Sequence, residues 1–282
     1  MPTTYAILGA TGQTGGSVLE VLTSERPDVH INCLVRSRAK LQRMYPDIVA
    51  PQQQSSSSFP SSSKVQVFEG AISNIPLLTD CIRGTSAVFM CVACPDNKPH
   101  LSIARDQAEA VVAALEALRT EQKKSPQGTA APPRLPTLVM LSSAETDEDR
   151  FCRDIPWAVR RVLFAANWWV YTDLMAAEQY LRARAAALGV DAVFVKPGGI
   201  SRDARRGHVL ASDRSQTFVS FLDVAGGMVE CAEVGGDGGG RWAGGSVSVL
   251  SRGKAKVEWS SGFLLLRNLL CTWLPGLYPW LF

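Results

Sequence analysis

The chain has 282 residues, of which 46% are hydrophobic and 20% charged, and its formal net charge is +3. These values are typical of a folded protein with one large domain, and the low charge excludes a basic nucleic-acid-binding protein. The seven cysteines are odd in number and scattered, which excludes the disulfide framework of a secreted protein. The first predicted strand leaves no room for a signal peptide before it, so we expect a reduced, cytoplasmic protein.

A glycine-rich segment follows that first strand. Residues 5–8 (YAIL) are apolar, and Gly9, Gly12 and Gly15 come directly after them. In such a segment the first glycine permits a sharp turn, the second admits a pyrophosphate, and the third lets the next helix pack on the strand. The free amides at the helix start favour an anion. We therefore predict a dinucleotide-binding loop with contacts from Gly9, Thr11, Gly12, Gln13, Thr14 and Gly15.

The end of the second predicted strand indicates which dinucleotide binds. Residues 31–35 (INCLV) lead into Arg36, where an acidic residue would favour NAD and an arginine fits the 2′-phosphate of NADP. A guanidinium binds phosphate in a bidentate geometry. We predict NADP (NADPH) as the cofactor, held by Arg36 and Arg38, whereas Lys40 and Arg43 are expected on the solvated face of a helix.

Apolar strand patterns continue to alternate with helical ones along the chain. The later strands are expected at residues 65–68, 87–92, 138–141 and 192–195, with helices at 104–121 and 172–188. This order predicts an α/β, Rossmann-like doubly wound parallel sheet with a small C-terminal substrate-binding region. We divide the chain into a cofactor-binding core at 1–200 and a substrate-binding region at 201–282.

Three segments have compositions that bury little surface. Residues 51–63 are a low-complexity serine-rich segment, 122–136 are proline-rich, and 235–245 are glycine-rich. We expect each to be a surface loop.

The C-terminal segment, residues 263–282, is mostly apolar. Arg267, Pro275 and Pro279 argue against a transmembrane span. We predict a helix to about Trp273 that covers a hydrophobic pocket, followed by an irregular tail. Peripheral contact with a membrane or with another subunit through this tail stays open.

Cys91 and Cys94 form a C-x-x-C pattern. No second cysteine pair lies at the spacing of a zinc site, and Cys91 ends an apolar run. Core packing at a strand end is the favoured interpretation, and no metal site is predicted.

Several of these segments together resemble a known family. The chain resembles the NmrA-like atypical short-chain dehydrogenase/reductases in four features. These are the glycine motif, the strand that ends at Arg36, the serine pair Ser142 and Ser143 after strand five, and the Lys-Pro-Gly-Gly turn after strand six. The resemblance is closest to the averufin oxidase A type oxidoreductases of fungal aromatic polyketide biosynthesis. It implies an NADP-binding Rossmann core and tailoring of anthraquinone- or xanthone-like substrates. It also implies backbone contacts to the cofactor after strands three, four and six, from Gly70, Ala71, Cys91, Val92, Ala93, Pro197, Gly198 and Gly199.

The catalytic positions depart from the wider superfamily. There, carbonyl reduction uses a serine, a tyrosine that donates a proton, and a lysine four residues later that lowers the pKa of the tyrosine. Here Leu174 and Met175 stand where the lysine after Tyr171 is expected. A phenol with an unperturbed pKa of about 10 is a poor proton donor at neutral pH. We expect Tyr171 with Ser142 or Ser143 to contact a substrate oxygen, because ligands of open α/β sheets bind at the carboxyl ends of the strands.

Other groups near Tyr171 are alternatives. Asp173 is more typical of a helix cap or a solvated charge, and His208 of an exposed loop, while Lys196 ends strand six. Asn167 and Trp168 are predicted substrate contacts, and either Trp168 or Trp169 faces a pocket and stacks on a flat substrate.

The leading hypothesis is an NADPH-dependent oxidoreductase that transfers hydride to a quinone, enone or carbonyl of a planar aromatic polyketide. Hydride addition to a quinone gives a phenolate that its own ring stabilises, so a strong protein acid is not required. Two alternatives stay open: a non-catalytic NADP sensor that binds a protein partner, and a redox-neutral isomerase, cyclase or epoxide-opening enzyme.

Overall fold

The described chain alternates strands and helices in the order that the sequence predicts. The computed structural model describes residues 3–49, 64–94, 96–124, 134–234, 242, 244–253 and 261–281. The strands are β1 (Thr4–Leu8), β2 (His30–Val35), β3 (Val65–Glu69), β4 (Ala87–Met90), β5 (Thr137–Leu141), β6 (Ala192–Val195), β7 (Gly199–Ser201), β8 (His208–Ala211), β9 (Phe218–Ser220) and β10 (Ser246–Ser251). The α-helices are α1 (Gln13–Glu25), α2 (Arg38–Met44), α3 (Ile75–Ile82), α4 (Ile103–Lys124), α5 (Glu148–Phe151), α6 (Trp157–Ala166), α7 (Trp168–Ala187), α8 (Phe221–Val234), α9 (Ser261–Trp273) and α10 (Tyr278–Leu281).

Eight of these strands form one sheet in the order β3-β2-β1-β4-β5-β6-β10-β8. All neighbours are parallel except β8, which runs antiparallel to β10. The order reverses between β1 and β4, and ligands of doubly wound sheets bind outside the carboxyl ends of the strands at such a point. Strands β7 and β9 form a separate parallel pair. The Rossmann-like fold class is confirmed.

Helices cover both faces of the sheet, which explains why its central strands are apolar at successive positions. Tyr5 and Ile7 of β1 face the layer of α1 and α8, whereas Ala6 and Leu8 face the layer of α3, α4 and α7. Alternate residues of one strand thus enter two cores.

The C-terminal third contributes to this same sheet. Strand β10 pairs with β6, and α8 packs against α1. The sequence patterns identified neither β10 nor α8, because short strands among glycine-rich segments give a weak periodic signal. The assignment of 201–282 to substrate binding stays a prediction.

Some predicted boundaries differ from the structure. Helix α4 continues through Lys124, so the predicted loop at 122–136 begins later, and residues 125–133 lie outside the described residues. Residues 51–63, 235–241 and 243 lie outside them as well. His208 was expected in an exposed loop, which is wrong: it lies in β8 and its Nε2 is 2.9 Å from Oε2 of Glu230.

The helix predicted to end at about Trp273 is confirmed as α9, which packs against α6. The irregular tail predicted after it is wrong, because a 3-10 turn at Pro275–Leu277 leads directly into α10. Proline is tolerated in the first turn of a helix, which is how both prolines are accommodated. None of the helices in the described ranges is both long and apolar enough to cross a membrane.

Candidate functional site

The glycine-rich loop makes a tight turn between β1 and α1. Gly9 has a φ of +91°, and its amide donates to the Leu34 carbonyl at 3.1 Å. A Cβ on Gly15 would lie only 2.3 Å from the Gly9 carbonyl oxygen. Glycine is therefore required at both positions, at Gly9 by the backbone angle and at Gly15 by the close approach of helix to turn.

The start of α1 is suited to bind an anion. Gly12 occupies the N-cap without a side-chain hydrogen bond, and the first turn carries no acidic residue. The exposed Gln13 amide lies against the Arg202 guanidinium, and in the orientation that turns its oxygen toward Arg202 this oxygen accepts from Arg202 Nε at 3.0 Å. First-turn amides and an adjacent guanidinium are the donors that a pyrophosphate requires. The loop thus fits the phosphates of a dinucleotide, and Arg202 is a candidate contact that the sequence patterns missed.

The two arginines after β2 differ in their surroundings. Arg36 is exposed and makes no hydrogen bond or ion pair with any residue in the described part of the chain. Arg38 donates from its guanidinium to the Val67 carbonyl at 2.8 Å, which ties α2 to β3. Arg36 is therefore the one of the two whose guanidinium is available for a ligand phosphate, and both assignments stay predictions. Lys40 and Arg43 are exposed on α2, as expected.

Backbone segments after β3 and β4 form the walls beside the loop. The Gly70 amide donates to the Val35 carbonyl at 2.9 Å, which places Gly70 and Ala71 beside the end of β2. After β4, the Val92 amide donates to the side-chain oxygen of buried Gln107 at 3.1 Å. Gln107 was not singled out by the sequence, because a glutamine on a long helix carries no pattern of its own.

The Pro197-Gly198-Gly199 turn lies between two segments at the same edge. The Ala144 amide donates to the Pro197 carbonyl at 2.9 Å, so the turn adjoins the segment after β5. On its other side, a Cβ at Gly198 would lie 2.1 Å from the Gln216 carbonyl oxygen. The turn that the resemblance assigns to the cofactor is therefore held beside the residue that follows Ser143.

Ser143 and Tyr171 come together at this edge. Ser143 lies just after β5 and Tyr171 is half-buried on α7, and the Ser143 side chain is near enough to influence the Tyr171 phenol. Burial raises the pKa of the Tyr171 phenol above its ordinary value of 10.0, the Glu145 carboxylate raises it further, and the neighbouring Ser143 side chain opposes the shift. The Ser143 hydroxyl also donates to Oε2 of Glu145 at 2.8 Å. Glu145 is a polar member of this cluster that the sequence patterns missed.

Ser142 points into a different, buried network. Its hydroxyl donates to the Glu178 carboxylate, and Lys196 Nζ lies 2.8 Å from Oε2 of the same carboxylate. Lys196 also donates to Thr146 Oγ1 at 2.6 Å. Burial lowers the pKa of the Lys196 ammonium, and the Glu178 charge opposes that shift. Lys196 and Ser142 therefore both interact with Glu178 in this buried network. Of the two serines, Ser143 is the one that lies near Tyr171.

The lysine position of the wider superfamily carries no cation here. Leu174 is packed in the core between α4 and α7, and Met175 is 44% exposed. Neither side chain can lower the pKa of Tyr171, in agreement with the raised value.

The aromatic residues near Tyr171 divide at Asn167, where α6 ends and α7 begins. Trp168 is exposed, whereas Trp169 is half-buried and packs against His100, with ring centroids 4.8 Å apart and the ring planes tilted by 50°. The indole Nε1 of Trp169 is buried and has no hydrogen-bond partner among the described residues. Trp169 is therefore the better candidate to face a ligand, while Asn167 contacts Asn268 of α9 at 3.3 Å.

Asp173 has a structural role. Its carboxylate accepts from the Ala104 amide at 2.8 Å and from the Arg105 amide at 3.0 Å, and so caps the start of α4. The helix-cap interpretation is confirmed, although the capped helix is not the one that carries Asp173.

A cavity of about 400 Å³ opens next to the Ser143 segment, a size typical of small-molecule sites. Its lining residues include Phe151, Cys152, Arg214, Gln216, Thr217 and Leu250. Cys152 is within electrostatic range of Glu145, and Gln216 adjoins Gly198. A larger cleft of about 530 Å³ lies between the last turns of α4 and α7. It is away from the carboxyl ends of the strands and is therefore not part of the candidate cofactor site.

The chain is similar to proteins of known class over most of its length. The sequence profile of the NmrA-like family matches residues 1–118. Oxidoreductase aflX of Aspergillus parasiticus is 42% identical, with 98% of this chain and 94% of that protein covered. Oxidoreductase stcQ of Emericella nidulans is also 42% identical, with coverage of 98% and 93%.

Solved structures support the fold. A short-chain dehydrogenase/reductase (wide type) from Veillonella parvula in complex with NADP has a TM-score of 0.60 and 17% identity, with coverage of 90% of this chain and 96% of that one.

Proposed function

Because this chain belongs to the NmrA-like family and is an oxidoreductase of the atypical short-chain dehydrogenase/reductase type, we propose that it uses NADPH to reduce a carbonyl compound. The proposed substrate is a quinone, enone or related carbonyl of an aromatic polyketide, such as an anthraquinone or xanthone precursor. The observation that carries the proposal is the Ser143–Tyr171 pair beside the Pro197-Gly198-Gly199 turn, at the sheet edge that also holds the glycine-rich loop.

Each part of the site has a role in this proposal. The first turn of α1 and Arg202 bind the pyrophosphate, and Arg36 binds the 2′-phosphate. The walls at Gly70, Ala71 and Cys91–Ala93 bind the adenosine half by backbone contacts. Once bound, NADPH supplies a hydride. Ser143 and Tyr171 donate hydrogen bonds to the substrate oxygen, which stabilises the negative charge that develops there.

A planar aromatic substrate is consistent with the surroundings of this pair. Phe164 packs on Tyr171 with ring centroids 5.5 Å apart, and Phe151 lines the neighbouring cavity. Apolar and aromatic walls with a few polar groups are typical of sites for such molecules.

The cofactor assignment is tested with Arg36→Ala. We expect the variant to bind NADPH tenfold or more weakly, since a charge-assisted hydrogen bond contributes about 1.5–3 kcal/mol. NADH affinity should not change, because NADH lacks the 2′-phosphate. The measurement is a titration of nicotinamide fluorescence. Arg43→Ala, which removes another exposed guanidinium of the same segment, is the control.

Equal loss of NADPH and NADH binding in Arg36→Ala would contradict the assignment, as would the same loss in Arg43→Ala. Substrate class is tested by NADPH oxidation across a panel of quinones, anthrones and enones. No oxidation with any of them would refute the proposed reduction, and product formation without net NADPH consumption would support the redox-neutral alternative instead.

A further inference from the structure

Helix α7 carries Tyr171 in its first turn, but its own N-cap residue does not cap it. The Asn167 side chain makes no hydrogen bond to the helix start. Its nitrogen donates to the Leu163 carbonyl at 3.1 Å, and its oxygen accepts from Asn268 of α9 at 3.3 Å. The first amides of a helix have no partner within the helix, so an acceptor from elsewhere in the chain is needed here.

That acceptor is the side chain of Asn97, in the loop between β4 and α4. Its Oδ1 accepts from the Trp169 amide at 2.9 Å, although the two residues are 72 positions apart. Trp169 is the second residue of α7, and an N-cap side chain normally binds the amide of the second or third residue. Asn97 thus supplies the cap that Asn167 does not.

The same side chain binds α9 through its nitrogen. Nδ2 donates to the Asn268 carbonyl at 3.0 Å and to Thr272 Oγ1 at 2.7 Å. Thr272 in turn donates to the Ala165 carbonyl of α6 at 2.6 Å. Asn97 is fully buried, with its oxygen and both amide hydrogens in use. Its orientation is fixed, since a swapped amide would direct its nitrogen at the Trp169 amide and its oxygen at the Asn268 carbonyl.

The loop that carries Asn97 continues from the segment assigned to the cofactor. Asn97 follows Ala93, the last residue of that segment, by four positions. Further along, His100 has a φ of +58° and its ring packs on Trp169. The loop therefore links the cofactor edge of the sheet to the start of α7.

This cap determines where Tyr171 lies. Tyr171 is two residues beyond the capped amide, in the same turn, and its own amide donates to the Asn167 carbonyl at 2.9 Å. Residues of one helical turn move together because successive backbone hydrogen bonds join them, so a shift of the helix start also moves the phenol. A displacement of about 1 Å at a reacting group can lower a rate about 10²-fold.

We propose that Asn97 is a positioning residue for the reduction: by capping α7 at Trp169, it holds the Tyr171 phenol at the substrate oxygen. Its bonds to α9 attach that helix and do not act on the reaction. The inference rests on the proposed carbonyl reduction.

The test compares Asn97→Ala with Asn97→Asp and Thr272→Val. Alanine removes the cap, aspartate keeps an oxygen for the Trp169 amide, and Thr272→Val removes a bond to α9 but leaves the cap. We expect Asn97→Ala to lower kcat/KM about 10- to 100-fold, with NADPH affinity unchanged. The other two variants should keep kcat/KM close to the wild-type value, even where urea unfolding shows a loss of stability. An equal loss of kcat/KM in all three would overturn the proposal.

A double variant tests whether Asn97 acts through Tyr171. Once the phenol is absent its position no longer matters, so Asn97→Ala should lower kcat/KM little further in the Tyr171→Phe background. A general weakening of the fold would reduce kcat/KM equally in both backgrounds. Additive losses would therefore contradict the proposal.

Hydrogen exchange of the Trp169 amide gives a readout independent of turnover. It is followed by NMR on protein labelled with ¹⁵N-tryptophan, and the signal is assigned with Trp169→Phe. In Asn97→Ala this amide should exchange roughly tenfold faster, because it loses its hydrogen bond. Its protection should persist in Asn97→Asp and in Thr272→Val.

Unchanged exchange in Asn97→Ala would overturn the cap, and wild-type kcat/KM in that variant would overturn the positioning role. A wild type that reduces no carbonyl, with the exchange result as expected, would instead refute the proposed reduction. The two failures are therefore distinguishable.

Discussion

Tyr171 has a chemical environment that differs from that of its superfamily counterparts. Its raised pKa keeps the phenol protonated throughout the usual working range of pH, so it acts as a hydrogen-bond donor and not as a base. Of the two adjacent serines after β5, only one lies near Tyr171. Ser143 reaches it, whereas Ser142 is turned toward Glu178.

At this scale we predict that Tyr171→Phe lowers kcat/KM by about 10²- to 10³-fold, because it removes a hydrogen-bond donor to the substrate oxygen. NADPH affinity should stay unchanged, since the substitution leaves the cofactor edge intact. Steady-state kinetics and a binding titration measure the two effects. Tyr180→Phe, a half-buried tyrosine of the same helix, is the control and should keep wild-type kinetics. Wild-type turnover by Tyr171→Phe would remove Tyr171 from the reaction.

Among the elements, the β1–α1 unit is determined by its local sequence. Only one arrangement of the helix on the strand is compatible with the apolar strand, the positive φ of Gly9 and the close approach of Gly15 to the turn. Helix α7 is different, because only Asn167 separates its start at Trp168 from the end of α6 at Ala166. The sequence predicted its start at 172, since no proline or glycine marks the true boundary.

At the element scale we predict that Gly15→Ala destabilises the protein by about 1–3 kcal/mol, the usual cost of overpacking, and weakens NADPH binding. The new methyl group would meet the Gly9 carbonyl at 2.3 Å, and backbone cannot move aside as a side chain can. Urea unfolding and the fluorescence titration measure the two effects. Gly276→Ala, where nothing lies within 4 Å of the added Cβ, is the control. Unchanged stability and binding in Gly15→Ala would show that the turn can relax.

In the whole molecule, one buried network joins segments that are distant along the chain. Glu178 of α7 binds Ser142 after β5 and Lys196 after β6, and both charged side chains are almost fully buried. Such a pair stabilises the fold only while both partners are present.

At this scale we predict that Lys196→Met destabilises the protein by about 3–5 kcal/mol, because Glu178 then stays buried without its main counter-charge. A double variant with Glu178→Met should be more stable than the sum of the single effects implies. Urea unfolding measures each free energy. Arg105→Ala, which breaks the exposed pair with Glu109, is the control and should have a far smaller effect. Additive losses in the double variant would mean that the pair is not coupled.

The sequence by itself determined the fold class, the six parallel strands from β1 to β6 and the position of the glycine loop, because each depends on local periodicity and on the conformational freedom of glycine. It also identified Ser143 and Tyr171 as candidates, from a strand end and a resemblance. Only the tertiary structure decided that Ser143 and not Ser142 meets Tyr171, that Lys196 is paired with Glu178, and that Glu145 and Arg202 adjoin the site. Apart from the local Ser143–Glu145 contact, these facts depend on contacts between residues far apart along the chain, for which no spacing rule exists. The strand β10 is likewise assigned to the sheet only by its pairing with β6, a long-range hydrogen-bond pattern that local sequence does not encode.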